Sequence, residues 1–439
     1  MAVMNQTRAF LTSLFRTATA AAHPAQCLPA HLPPPPRGRL IVLAGGKAAG
    51  SMAEVAEAFY LDKIPADRLE GIAVTRHGYG RPTRHIPVVE AGHPVPDGAS
   101  FAAAERTLEL ARRATADDLV LALISGGASA NWVAPAPGIA FADKQAVTRA
   151  LLRSGASIGE MNTVRKHLSR IKGGRLAAAA HPAPVVTLAI SDVPGDDPAV
   201  IGSGPTVPDP STLDEARAIV ARYRLTVPDS ITRALGDPGN ETPKPDDPLF
   251  AATRFELVAR PADAFRDAEA ALSRAGYECL FLGDRVEGEA REVAAAHARL
   301  ARELQAQGRR AAILSGGELT VTIRGNGRGG PNQEYALALV LALDGTSGIA
   351  ALSADTDGTD GGAGSASDPA GAFADGEAAA WARAAGLDPA AFLTDNDSTG
   401  FFSRTGDLLQ TGPTFTNVND FRVVLVDPPA SRPDGVDKA

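Results

Sequence analysis

The chain has 439 residues, 44% hydrophobic and 21% charged, with a formal charge of −8 and two cysteines, Cys27 and Cys279. That length exceeds one compact core and fits two α/β domains, and an acidic balance without any basic run argues against a nucleic-acid partner. Two cysteines exclude a disulfide framework and imply a reducing, cytoplasmic setting, and no apolar stretch approaches the ~20 residues that span a bilayer, so no membrane association is expected.

The first 22 residues carry Arg8 and Arg16 among serines and threonines, with no acid before Glu54. Such a composition is similar to a transit peptide, but Phe10, Leu11, Leu14, Phe15 and Ala18 share one helical face, which predicts an amphipathic helix packed on the domain. A proline-dense connector at 29–36 follows. Apolar β-type runs then recur at 40–44, 71–75, 119–124, 185–190, 255–259, 278–282, 311–314, 349–352 and 421–426, with helical stretches such as 51–61, 102–113 and 288–304 between them. Most of these runs are continuous rather than alternating, as in strands covered on both faces, so mostly parallel sheets flanked by helices are expected. A second connector, Gly236-Asp237-Pro238-Gly239-Asn240 with Pro243, Pro245 and Pro248, cannot hold regular structure. It sets the expected domains at 1–240, Rossmann-like, and 250–439. The tail from Pro428 is proline-rich and expected to fray.

Ligands of open parallel sheets collect at the carboxyl ends of strands. Three of the predicted strands end in Gly-Gly turns: Gly45-Gly46-Lys47, Ser125-Gly126-Gly127 and Ser315-Gly316-Gly317. Each can present backbone donors to a phosphate, and Lys47 stands where an ammonium could reach a β- or γ-phosphoryl oxygen. A fourth loop, Arg324-Gly325-Asn326-Gly327-Arg328-Gly329-Gly330-Pro331, lies between a β-type run at 319–323 and an apolar helical run at 335–343. Its glycines permit close approach, Pro331 suits a first helical turn, and Arg324 and Arg328 add charge for a phosphate or carboxylate. Gly325-x-Gly327-x-x-Gly330 also has the spacing of a dinucleotide turn, and a plain surface turn is the third reading.

Strand ends also supply acids. Asp192 directly follows 185–190, and Asp355, Asp357 and Asp360 follow 349–352; either group could hold magnesium or take a proton, although the second could equally be an Asx turn. A basic patch, Arg165-Lys166-His167 continuing to Arg170 and Lys172, suits a carboxylate or phosphate, or is a solvated helix face. His77, His85 and His93 do not form a zinc-ligand spacing, and no Gly-x-Ser-x-Gly elbow is present.

Taken in order, these loops resemble the glycerate kinase family of the MOFRL type over most of the chain. The resemblance is carried by Gly45-Gly46-Lys47, Ala91-Gly92-His93-Pro94-Val95-Pro96-Asp97, Ser125-Gly126-Gly127, the 162–174 patch, 191–197 with Ser203-Gly204-Pro205-Thr206, Ser315-Gly316-Gly317-Glu318, the 324–334 loop, Asp395-Asn396-Asp397-Ser398, and Thr411-Gly412-Pro413-Thr414 with 416–420. Pro331 stands where the family often has arginine, 361–369 is longer than usual, and Phe415 replaces a smaller residue. The resemblance implies two α/β domains with the active site in the cleft between them, and an ATP- and Mg2+-dependent kinase that phosphorylates the 2-hydroxyl of D-glycerate. On this reading Lys47, Arg324 and Asp192 are expected to be catalytic; Gly45, Gly46, Ser125, Gly126, Gly127, Ser315, Gly316, Gly317, Gly325, Gly327, Arg328 and Gly330 to surround ATP; Arg165 and Lys166 to bind the substrate; and Asp192, Asp355 and Asp357 to hold the metal. A homodimer stays open. Two alternatives are a nicotinamide-dependent hydroxypyruvate reductase, with Asp355 on the ribose, and a non-catalytic nucleotide sensor.

Overall fold

The computed structural model describes residues 2–193, 195–362 and 365–429. The chain forms two compact units: one comprises His23–Arg260 with Phe415–Asn417, the other Met1–Ala22, Pro261–Thr414 and Val418–Ala439.

In the first unit the apolar runs become β1 (Leu40–Gly45), β2 (Leu69–Arg76), β3 (Val88–Ala91), β4 (Leu119–Ile124), β5 (Val185–Ile190) and β6 (Thr253–Ala259), all paired in parallel in the order β3-β2-β1-β4-β5-β6. Every residue of β1 and β4 is buried, which is why those runs show no alternation. The chain winds outward from β1 to β3, then returns to β4 and winds the other way, so the strand order reverses between β1 and β4. That reversal opens a crevice at the carboxyl ends of the two strands. A satellite cluster of helices, Phe141–Arg153, Ile158–His167, Leu213–Arg222 and Asp229–Gly236, packs through Val147, Leu151, Val164, Ile219 and Ile231. Capping boxes at Ser157/Glu160 and Thr212/Glu215 start two of them.

The second unit carries β7 (Glu278–Phe281), β8 (Gly288–Glu289), β9 (Ala311–Ser315), β10 (Leu319–Thr320), β11 (Ile349–Asp355), β12 (Gly371–Asp375), β13 (Leu408–Leu409) and β14 (Asp420–Val426). Its main sheet has the order β13-β12-β11-β14-β9-β7, and β8 pairs with β10 separately. The expectation of parallel sheets is corrected here: only β7·β9 is parallel in the main sheet, whereas β11·β12, β11·β14, β12·β13 and β14·β9 are antiparallel. A strand buried on both faces is apolar throughout whichever way its neighbour runs, so the runs carried no information on direction.

The domain boundary is also corrected. The 236–248 connector is an excursion of the first unit, because the chain continues into β6, an edge strand on β5, and divides only at Arg260/Pro261. The N-terminal helix, Ala2–Ala21, forms as its periodicity predicts but packs on the helix Pro261–Arg274 of the second unit. Leu11, Leu14, Phe15 and Ala18 are buried, and Phe10 stacks on Tyr277 at 6.0 Å. Burying a Leu or Phe side chain contributes roughly 1.5–3 kcal/mol. No helix among the described residues is long and apolar enough to cross a membrane. Part of the long 361–369 segment and most of the tail after Pro428 lie outside the described residues.

Candidate active site

The crevice between β1 and β4 is built by two Gly-Gly turns bound to each other. Gly45 lies opposite Ile124 in the ladder, and beyond it the Ser125 N–H donates to the Gly45 carbonyl (3.0 Å), the Lys47 N–H to the Gly126 carbonyl (2.7 Å) and the Ala48 N–H to Ser125 Oγ (2.9 Å). Thr75 Oγ1 donates to the Lys47 carbonyl (3.1 Å). Gly46 has φ +118°, and a Cβ there would stand 2.3 Å from the Ser125 carbonyl oxygen, so only glycine closes this turn. The backbone of Lys47 is thereby fixed at the switch point.

The second turn gathers side chains from several strand ends. A Cβ on Gly126 would stand 1.7 Å from Asp192 Oδ2 and 2.2 Å from Asn417 Nδ2; one on Gly127 would stand 3.1 Å from Lys47 Cγ and 3.0 Å from the His93 ring. Asn417 Nδ2 donates to Asp192 Oδ2 at 2.7 Å. Lys47, His93, Asp192 and Asn417 therefore converge on Gly126-Gly127, whose two amides have no intramolecular hydrogen-bond acceptor among the described residues. Two uncommitted backbone donors beside a lysine stem suit a phosphoryl group. The β1 turn reads Gly45-Gly46-Lys47-Ala48-Ala49-Gly50, with lysine where a dinucleotide turn has its second glycine.

A cavity of about 450 Å3 adjoins this turn, with Gly127 and His93 in its wall and Lys144, Arg165 and Lys172 among its lining residues. Lys144 Nζ donates to the carbonyls of Arg165 (3.1 Å) and Leu168 (3.2 Å), and Lys172 Nζ to that of Ser129 (2.8 Å). Burial pulls the Lys144 ammonium down to about 7, with Arg165 adding repulsion. Burial and its two cationic neighbours bring Lys172 well below the usual lysine value, and burial lowers Arg165. Among the described residues none of the three has a carboxylate within ion-pair range. Arg165 thus faces the cavity as expected of a substrate residue, but Lys166 does not: one position on, it turns away and its buried Nζ pairs with Asp209 Oδ1 at 3.2 Å. Lys144 stands in a largely polar helix and gave no sequence signal, Lys172 was visible only as part of the basic patch, and His93 and Asn417 stood in landmark motifs without a role.

In the second unit the glycine loop serves a different purpose from the expected cradle. The Arg324 and Gly325 amides donate to Asn396 Oδ1 (2.7 and 3.0 Å), Asn326 to Asp395 Oδ1 (2.9 Å) and Arg328 to Asp397 Oδ1 (3.1 Å). A Cβ on Gly325, Gly327 or Gly330 would come within 2.5 Å of Asp395, Asp397 or Asp360 respectively, so these glycines permit contact with the chain itself. At the start of the helix Pro331–Ala342 the Asn332 and Gln333 amides already bind the Asp360 carboxylate at 3.0 and 2.8 Å. The anion at this helix end is the protein's own, while the Arg324 and Arg328 side chains are exposed.

Ser315-Gly316-Gly317 is likewise a packing turn. The Gly316 amide donates to the Gly283 carbonyl (2.9 Å), Gly316 abuts the Phe265 ring, Gly317 abuts the Val286 backbone, and Ser315 Oγ accepts from Arg422 Nε (3.4 Å). Asp355 Oδ1 accepts from the Asp357 amide (2.9 Å) and Asp357 Oδ1 from the Thr359 amide (2.8 Å). These are the Asx turns left open above. Phe415, at φ +59°, packs edge-on to Tyr79 and beneath Arg81 in the first unit.

A domain of unknown function, DUF4147, matches residues 10–236, and the MOFRL family matches residues 311–420. A protein of Agrobacterium vitis named "Putative hydroxypyruvate reductase" is 48% identical over 425 residues, 95% of this chain and 94% of its own. D-glycerate 2-kinase of Thermotoga maritima is 40% identical over 393 residues, 88% of this chain and 91% of its own. The crystal structure of a glycerate kinase from Thermotoga maritima matches with a TM-score of 0.83 at 37% identity, covering 96% of this chain and all of that one.

Proposed function

The chain belongs to the glycerate kinase family with a MOFRL domain, and from that premise we propose that it transfers the γ-phosphoryl group of ATP to the 2-hydroxyl of D-glycerate. The observation that carries the reading is the convergence of Lys47, the unclaimed Gly126 and Gly127 amides and Asp192 at the β1/β4 switch point. The 2-hydroxyl oxygen forms a bond to the γ-phosphorus, the bond to the β,γ-bridging oxygen breaks, ADP leaves, and the hydroxyl proton passes to water. Little covalent chemistry falls to the protein, which must position both partners and neutralise charge.

In this reading the Lys47 ammonium and the 126–127 amides receive the transferring phosphoryl oxygens. Arg324 and Arg328, whose side chains are exposed, are the proposed source of further guanidinium charge, and Arg165 answers the acceptor carboxylate. Asp192, a carboxylate at a strand end beside the phosphoryl cradle, has the oxygen chemistry a magnesium ion takes, and nucleotide oxygens and waters complete such a shell. When bound, the ion would neutralise charge between β- and γ-phosphates. The reductase alternative loses its dinucleotide turn, because the 324–328 amides are bound to 395–397 and the helix start to Asp360.

With ATP, magnesium and D-glycerate, enolase added without phosphoglycerate mutase should give phosphoenolpyruvate promptly. A delay until mutase is added would move the phosphate to the 3-hydroxyl, and NAD(P)H oxidation on hydroxypyruvate with no ATP consumption would replace the kinase by a reductase. Gly126→Ala tests the cradle: its methyl group must displace Asp192 or Asn417, so kcat should fall roughly 10²-fold while overpacking lowers stability by about 1–3 kcal/mol. A kcat equal to that of the unmodified protein would remove Asp192 from the reaction.

A further inference from the structure

The cavity beside Gly127 is lined by four basic residues, Lys144, Arg149, Arg165 and Lys172, of which Arg149 is exposed, and none has a carboxylate within ion-pair range among the described residues. Lys144 and Lys172 are only 4% and 3% exposed. Acids do lie close in the fold, but each has another partner: Asp143 accepts from Ser230 Oγ (2.5 Å), and Asp209 pairs with Lys166. Burial without a counter-charge weakens the charge on the two lysines, and an anion entering the cavity would favour their protonated forms by pairing with them. The lining also includes the apolar side chains of Val95, Val133, Phe141 and Leu152. At about 450 Å3 the space lies within the range of pockets that hold drug-sized ligands, larger than a three-carbon acid requires.

One wall ties this cavity to the reaction centre. Gly127 and His93 line it, and both pack where the Lys47 stem passes. An acid anchored on the cations would therefore direct its hydroxyl toward the phosphoryl cradle.

We propose that this cavity is the acceptor pocket, that Lys144 and Lys172 join Arg165 in holding the acceptor carboxylate, and that the apolar wall admits 2-hydroxy acids with a bulkier apolar third carbon than that of glycerate. The assignment rests on the kinase reading. Lys144 also closes the last carbonyls of the helix Ile158–His167, so Lys172 and Arg165 are the better probes. Arg165 in particular donates no side-chain hydrogen bond among the described residues.

Steady-state ADP release is measured for Lys172→Met, Arg165→Met and Lys172→Arg, with D-glycerate and with D-2-hydroxy-4-methylpentanoate. In either methionine variant KM for D-glycerate should rise about tenfold or more, since a charge-assisted contact is lost, with KM for ATP and the melting temperature little changed. Lys172→Arg should return KM toward the starting value. The unmodified protein should release ADP with the branched acid. An unmoved KM for D-glycerate in both methionine variants overturns the carboxylate assignment and leaves the kinase standing. No ADP from the branched acid overturns the apolar-wall assignment. No ATP turnover with D-glycerate in the unmodified protein is a different failure, that of the kinase reading itself.

Discussion

Lys47→Ala is expected to lower kcat for glycerate-dependent ADP release by about 10³-fold while leaving the fold intact. Removing one preorganised donor at developing charge typically lowers kcat by roughly 10²–10³, and a full ammonium beside a transferring phosphoryl group belongs at the upper end. The fold should survive because the turns are held through backbone contacts: the Lys47 amide to Gly126, the Lys47 carbonyl from Thr75, and Ala48 to Ser125. Alanine keeps all three. Circular dichroism should therefore show a melting temperature within a few degrees of the starting protein. Arg324→Ala is the counterpart in the second unit, where the side chain is exposed and its loss should not disturb packing. Weakened ATP binding with no glycerate-dependent turnover before or after the Lys47 change would identify a nucleotide sensor. A kcat within about threefold of the starting value would remove Lys47 from a role that ordinarily carries far more.

The parallel-sheet unit was largely legible because its physics is local. Runs such as Leu119–Ile124 and Val185–Ile190 are strands end to end, and the residues following them are the ones that meet at the switch point. Short or small-residue strands were not legible: Val88–Ala91 follows a proline, and Gly371–Asp375 reads Gly-Ala-Phe-Ala-Asp, with little β-branched or aromatic content. The apolar-run rule also had no direction in it, which is how the antiparallel second sheet escaped.

The 324–330 loop shows why a motif is weaker than its surroundings. Glycines permit close approach without naming what approaches, and the partner is 395–397, about seventy positions away. Lys144 is the converse case: nothing around it in sequence marks it, and only the meeting of two helices with the turn at 171–174 gives it Arg165 and Lys172 for neighbours. Lys166, adjacent to Arg165, belongs to a structural pair because a helix turns about 100° per residue.

The second large effect lies at the start of the helix Pro331–Ala342, where Asp360→Ala should destabilise the protein by about 3–5 kcal/mol. The Asp360 carboxylate accepts from the amides of Asn332 and Gln333 (3.0 and 2.8 Å) and from their side chains (3.3 and 3.1 Å), at a buried helix end. Without it, at least two backbone donors are buried with no acceptor, at about 1–3 kcal/mol each, and the 2–4 °C per kcal/mol typical of a domain this size gives a fall in Tm of roughly 6–20 °C. The effect should also depend on pH. Burial, with Asp420 nearby, pushes the Asp360 carboxyl from 3.8 up to about 7 against the pull of those donors. A folded value above the unfolded one means the native state binds the proton more tightly, so this contribution is full below about pH 4 and fades as pH rises through 7. The Tm difference between the starting protein and Asp360→Ala should accordingly be wider at pH 5 than at pH 8. A difference that widens with rising pH would show instead that the four donors hold the carboxylate ionised, and a Tm unchanged at either pH would show that the helix end finds another acceptor.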